Sequence, residues 1–97
     1  MRRLIFLFDG PRLKLVADVT ITYCLPCHCQ SKAIQDADGI LKELGKRLTV
    51  LRLVPGDHGV DDVVIDGDLV FSLDREAHFP EASDLVERIR SRLAGPA

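Results

Sequence analysis

One junction restricts the fold of this chain more than any other stretch. From Asp18 to Tyr23 the residues alternate, with Val19, Ile21 and Tyr23 set against Asp18, Thr20 and Thr22. A period of two, rich in β-branched residues, marks a strand with one buried face. That strand runs straight into Cys24-Leu25-Pro26-Cys27-His28-Cys29, and a different period begins at Gln30. From there to Leu44 the apolar residues Ala33, Ile34, Ala37, Ile40, Leu41 and Leu44 form the stripe of an amphipathic helix. Gly45 is placed to end it in the left-handed C′ conformation.

The remaining segments complete a layered α/β pattern. Leu48 to Val54 is almost continuously apolar and too short for a stable helix, which predicts a buried strand. Pro55-Gly56-Asp57 ends it, and His58-Gly59 prolongs the loop. Val63-Val64-Ile65 and Asp68 to Leu73 flank Asp66-Gly67, a dipeptide whose two residues accept positive φ and so predict a tight hairpin. Pro80 suits the first position of a last helix, whose face would carry Ala82, Leu85, Val86, Ile89 and Leu93 before Gly95-Pro96 stops it. The expected order is β-α-β-β-β-α. Its first two strands are parallel through a right-handed crossover, the hairpin is added antiparallel, and two helices cover the faces of the mixed four-stranded sheet. Ahead of it, Leu4 to Phe8 is closed by Asp9-Gly10-Pro11, and Leu13 to Val16 follows. Residues 1–17 are expected to be an arm or an extra strand, and residues 18–95 the domain.

Composition limits what such a chain can do. Its 97 residues make one small domain with a limited core. With 46% hydrophobic and 29% charged residues, the mix is that of a globular protein and argues against disorder. No repeat or low-complexity segment is evident. Thirteen basic against fifteen acidic residues leave a formal charge of −2, without the basic footprint of a nucleic-acid binder. Trp is absent and aromatic residues are 5%, so stacking platforms for bases are scarce. No apolar run reaches the roughly 18–20 residues that span a bilayer, so no membrane partner is expected. Met1-Arg2-Arg3 and Leu4 to Phe8 imitate a signal peptide only briefly, with no cleavage site after them. Three clustered cysteines do not form a secreted disulfide framework, and the expected compartment is the cytoplasm.

The cysteine cluster carries the chemistry. Cys24 and Cys27 form a C-x-x-C unit where a strand turns into a helix. The free N–H groups of the helix N-terminus stabilise a thiolate, and a two-residue spacer lets both sulfurs meet around one turn. A dithiol that opens and closes needs both features. Pro26 restricts the turn. Three alternatives remain open. The cysteines could serve as small buried hydrophobes. They could bind zinc or copper(I) through Cys24, Cys27 and Cys29 with His28, His58 or His78, although there is no second C-x-x-C; an iron–sulfur cluster lacks its fourth cysteine. The domain could also be a non-catalytic interaction module whose Leu4–Phe8 arm pairs with another subunit to give a homodimer. Cys29 could act as a second resolving thiol or simply pack. His28 could stabilise a neighbouring thiolate or face solvent in the first helical turn. Tyr23 could lend its hydroxyl to the motif or pack at the strand end.

The same residues resemble a known family. Val19-Thr20-Ile21-Thr22-Tyr23-Cys24-Leu25-Pro26-Cys27 looks like the opening of the selenoprotein W/T/H-related family, also called Rdx, in a cysteine-containing bacterial form. Leu53-Val54-Pro55-Gly56, Val63-Val64-Ile65-Asp66-Gly67 and Phe79-Pro80-Glu81-Ala82 follow in family order, so the likeness runs from about Val19 to Leu93. It implies a thioredoxin-like fold and thiol redox chemistry, in redox homeostasis or antioxidant defence, with Cys24 and Cys27 as the site. It implies no bound cofactor. The expected partners are an oxidised protein or a small-molecule thiol, with glutathione as a candidate reductant. In selenocysteine-containing relatives selenocysteine holds the place of Cys27, whereas thioredoxin analogy makes Cys24 the nucleophile, so the order of attack is open. The chain departs from the pattern at Cys29, at Asp61-Asp62 where relatives often have Phe-Glu, at Leu73-Asp74 where they tend to be basic, and at Gly59-Val60, where thioredoxin has a proline. In a thioredoxin-like sheet Asp61 would lie beside the C-x-x-C and disfavour a thiolate, unless it belongs to a solvated acidic loop.

Overall fold

A computed structural model describes residues 15–94; the Leu4–Phe8 arm and most of the 1–17 extension lie outside the described residues. The strands are β1 (Ala17–Cys24), β2 (Leu48–Gly56), β3 (Asp61–Ile65) and β4 (Asp68–Ser72), and the helices are α1 (Gln30–Leu44), α2 (Leu73–Glu76) and α3 (Ala82–Arg90). The sheet runs β2-β1-β3-β4, with β1 and β2 parallel and the two other pairings antiparallel. This is the mixed four-stranded α/β arrangement expected. The Asp66-Gly67 hairpin also forms as expected, with φ of 51° and 87° at its two turn residues.

Register explains the core. Val19 pairs with Ile65, Ile21 with Val63 and Val63 with Phe71, so these residues share one face of the sheet and are fully buried. Ala33, Ala37, Ile40 and Leu44 of α1 and Leu85, Val86 and Ile89 of α3 close over that same face as a single apolar cluster. The opposite β1 residues, Asp18, Thr20 and Thr22, are only half-buried. Both long helices therefore lie on one side of the sheet, a correction to the expectation that they would cover its two faces. They can do so because small residues face each other: a Cβ added at Gly39 would sit 2.9 Å from the Cβ of Ala82.

Four further expectations need adjustment. Among the described residues β2 is an edge strand with Arg52, Leu53 and Val54 exposed, not a buried one. Gly45 is right-handed, with φ −53° and ψ −37°, and begins a 3-10 turn over Gly45–Arg47. The last helix starts at Ala82 behind an extended Glu81, because buried Pro80 still belongs to the approach and its carbonyl accepts a 2.7 Å hydrogen bond from Lys32 Nζ. Finally, α2 was not foreseen. Its Glu76 is held by the Arg88 guanidinium at 2.6 and 2.8 Å, while Arg88 also reaches Asp84 and the Val70 carbonyl and lies over the Phe71 ring.

Candidate functional site

The loop between β1 and α1 is built by four backbone hydrogen bonds. Leu25 N–H donates to the Gly56 carbonyl at 3.0 Å, which extends the β1–β2 pairing by one step. His28 N–H donates to Leu25 at 3.0 Å and Cys29 N–H to Cys24 at 3.2 Å, so the chain folds back tightly around Pro26. His28 completes the reversal at φ 61°, and Ala33 N–H to the Cys29 carbonyl opens α1. His28 is thus exposed ahead of the helix rather than in its first turn. The consequence is a pair of sulfurs at bonding distance, Cys24–Cys27, with Cα atoms 5.2 Å apart, within the range a disulfide allows.

The two sulfurs have unequal surroundings. Cys24 is 1% exposed, whereas Cys27 lies in the exposed part of the loop. Above Cys24 the β2–β3 loop directs the Gly59 N–H at its Sγ, at 3.2 Å. His58 and Gly59 take φ of 58° and 74°, the left-handed pair that turns this amide inward. An N–H donor at a sulfur favours its thiolate form when the bond is open. The sequence marks His58-Gly59 as a loop and Gly59-Val60 as the place where thioredoxin has a proline, without assigning either a contact. A signal was present in a glycine just before a strand on the chain's return past the cysteines, but contact across 35 positions cannot be read from local pattern.

The other sequence candidates fall as follows. Cys29 is half-buried against the core, its thiol 3.8 Å from the Cys27 carbonyl. Tyr23 is buried in the apolar cluster. His58 is exposed beside Asp57, and His78 meets the edge of Phe71. Among the described residues no three His, Cys, Asp or Glu side chains gather to hold a metal ion, so the proposed zinc or copper set is not assembled.

Asp61 is not part of a solvated loop. It opens β3 opposite Tyr23, the residue before Cys24, and is 4% exposed. Burial pushes its carboxyl up to about 6, with the Asp36 and Asp62 charges adding to the rise and Lys32 opposing it. Asp36, buried on α1, is also raised by burial, although Lys32 is bonded to it. No residue of this buried pair was legible as a pair, since Asp36 falls on the polar stripe of α1 by periodicity.

The sequence matches the Rdx family over residues 18–91. Among solved structures, a selenoprotein W-related protein from Vibrio cholerae is similar at TM-score 0.76 and 24% identity, covering 78% of this chain and 95% of that one. A protein from Bordetella parapertussis is similar at TM-score 0.77 and 31% identity, covering 80% of this chain and 99% of that one. No curated protein matches the chain.

Proposed function

The chain belongs to the Rdx family, and from that premise we propose that it is a thiol–disulfide redox protein acting through Cys24 and Cys27. The observation that carries this is the bonded pair itself: one sulfur is exposed, and the other is buried under a backbone donor. In the reduced protein the Cys27 thiolate attacks a sulfur of a substrate disulfide. A protein–substrate disulfide forms and the substrate's other sulfur leaves as a thiolate. Cys24, losing its proton to solvent with the Gly59 N–H directed at its sulfur, then attacks Cys27 Sγ and expels the remaining substrate thiolate. Two electrons have passed to the substrate, and Cys24–Cys27 is closed. Two equivalents of a thiol such as glutathione reopen it by the same exchange and leave as a disulfide. On this reading the substrate is an oxidised protein or a small disulfide, and the role is in thiol homeostasis or antioxidant defence. Exposure favours Cys27 as the attacking atom, because a substrate sulfur must approach in line and Cys24 is covered.

Intact-mass measurement before and after mild diamide oxidation tests this. The expected result is a reversible loss of two hydrogens, with the bridge mapped to Cys24–Cys27 and unchanged in Cys29→Ser. A stoichiometric metal adduct that protects the thiols would overturn it.

A further inference from the structure

Beside the sulfur pair the surface opens into a cleft of about 500 Å³, walled by the β2–β3 loop, the start of β3 and the turn into α2. Gly59, whose N–H touches Cys24 Sγ, is part of its wall, so the cleft begins at the redox pair. Its charged lining is one-sided: Asp57, Asp61, Asp62 and Asp74, with Ser72 between them and no Lys or Arg. His58 is the only basic residue of the lining, and it lies 3.6 Å from Asp57 on the exposed rim.

A group of surface carboxylates is ordinarily no more than a solvated edge. Asp61 distinguishes this one. Its side chain is buried to more than nine-tenths, lines the cleft, and has no hydrogen bond or ion pair with any described residue. Lys32, the cation whose charge acts on Asp61, is bonded to Asp36 and to the Pro80 carbonyl. Near-complete burial disfavours the ionised carboxyl, whose oxygens keep contact with the cleft alone, and a cationic ligand seated there offsets that penalty. The three other carboxylates line the approach and raise the local concentration of positive charge. No metal-holding group of three is formed here, so an extended organic cation fits better than a bare ion.

We propose that this cleft selects the redox substrate, taking disulfides in which a lysine or arginine flanks the reacting cysteine and seating that cation on Asp61. The proposal rests on the redox reading above and names its substrate class. Its corollary is that glutathione, an anion, can still reopen the pair but exchanges more slowly than a cationic thiol of equal reactivity.

The test uses the reduced full chain and the symmetrical disulfides of three short peptides, a cysteine flanked by two lysines, two glycines or two glutamates. Closure of Cys24–Cys27 is followed by acid quench and intact mass. The lysine peptide should react about tenfold faster than the glycine peptide, and the glutamate peptide slower still. High salt should compress the spread. The ratio of rates is the readout, because removing a carboxylate near a thiol also changes its reactivity toward every disulfide. In Asp61→Asn/Asp62→Asn/Asp74→Asn the ratio should fall to within about twofold of unity. If that variant does not fold, Asp62→Asn/Asp74→Asn must still lower the ratio by about half. Equal rates for the three peptides, or a ratio unmoved by these substitutions while the glycine peptide reacts normally, overturn the selectivity and leave the redox function standing. Failure of all three peptides to react overturns the redox function, and the selectivity with it.

Discussion

At the scale of single residues the site turns on the inequality between Cys24 and Cys27. The buried sulfur has a donor and no approach path, and the exposed one has a path. If Cys27 attacks first, Cys24→Ser in a Cys29→Ser background should trap a stable mixed disulfide with a substrate peptide at Cys27, since no thiol then remains to resolve it. Cys27→Ser should accumulate on the order of tenfold less, its one remaining site cysteine being covered. Non-reducing mass mapping separates the two outcomes, and preferential trapping at Cys24 would reverse the order of attack. The cysteines themselves were legible because their relation is local: a two-residue spacer at a change of period. Gly59 and the buried carboxyls were not. A sequence shows that His58-Gly59 is a loop, but which sulfur its amide meets depends on the parallel β1–β2 register that sets Gly56 opposite Cys24. Asp61 could be placed beside the motif by resemblance, whereas its burial depends on the pairing of β3 with β1.

Elements whose pattern is set by one neighbouring surface were the readable ones. The stripe of α1 and the Asp66-Gly67 hairpin each follow from a single periodicity or turn requirement, and both formed where expected. β2 did not behave as its composition suggests. A continuous apolar run reads the same whether the strand is central or at an edge; among the described residues β2 pairs only with β1, and Leu53 and Val54 are exposed. The helices ended on one face for a reason equally invisible to periodicity, the close approach of Gly39 and Ala82. Gly39→Val should therefore force α1 and α3 apart and destabilise the fold by about 1–3 kcal/mol in urea unfolding, despite valine's better helix propensity than glycine's. Ala82→Gly in the same chain should recover part of that loss. An unchanged unfolding midpoint would mean that the helix contact carries little of the stability.

For the whole molecule, the carboxyls pull stability in opposite directions with pH. Glu76, bound by Arg88, has a lowered pKa, so its contribution is present above its ordinary value near 4.5 and is lost as pH falls through the lower folded value. Asp61 and Asp36 are raised. In the unfolded chain they ionise from about pH 3.8, whereas folded Asp61 holds its proton to about 6. The folded state therefore loses ground as pH rises from 4 to 6, and above that the penalty is constant. Of these three groups, the two raised aspartates favour the folded state on the acid side of pH 6, and Glu76 opposes them only below its ordinary value. Asp61→Asn should flatten the decline between pH 4 and 6 and stabilise the protein at pH 7 by about 1–3 kcal/mol. Urea unfolding across pH 3–8 measures both, and a variant that keeps the decline would transfer it to Asp36. The same substitution is expected to weaken the preference for cationic disulfides. A side chain whose removal strengthens the fold and erases substrate choice is being retained for binding, and the two measurements on one variant decide whether Asp61 is such a residue.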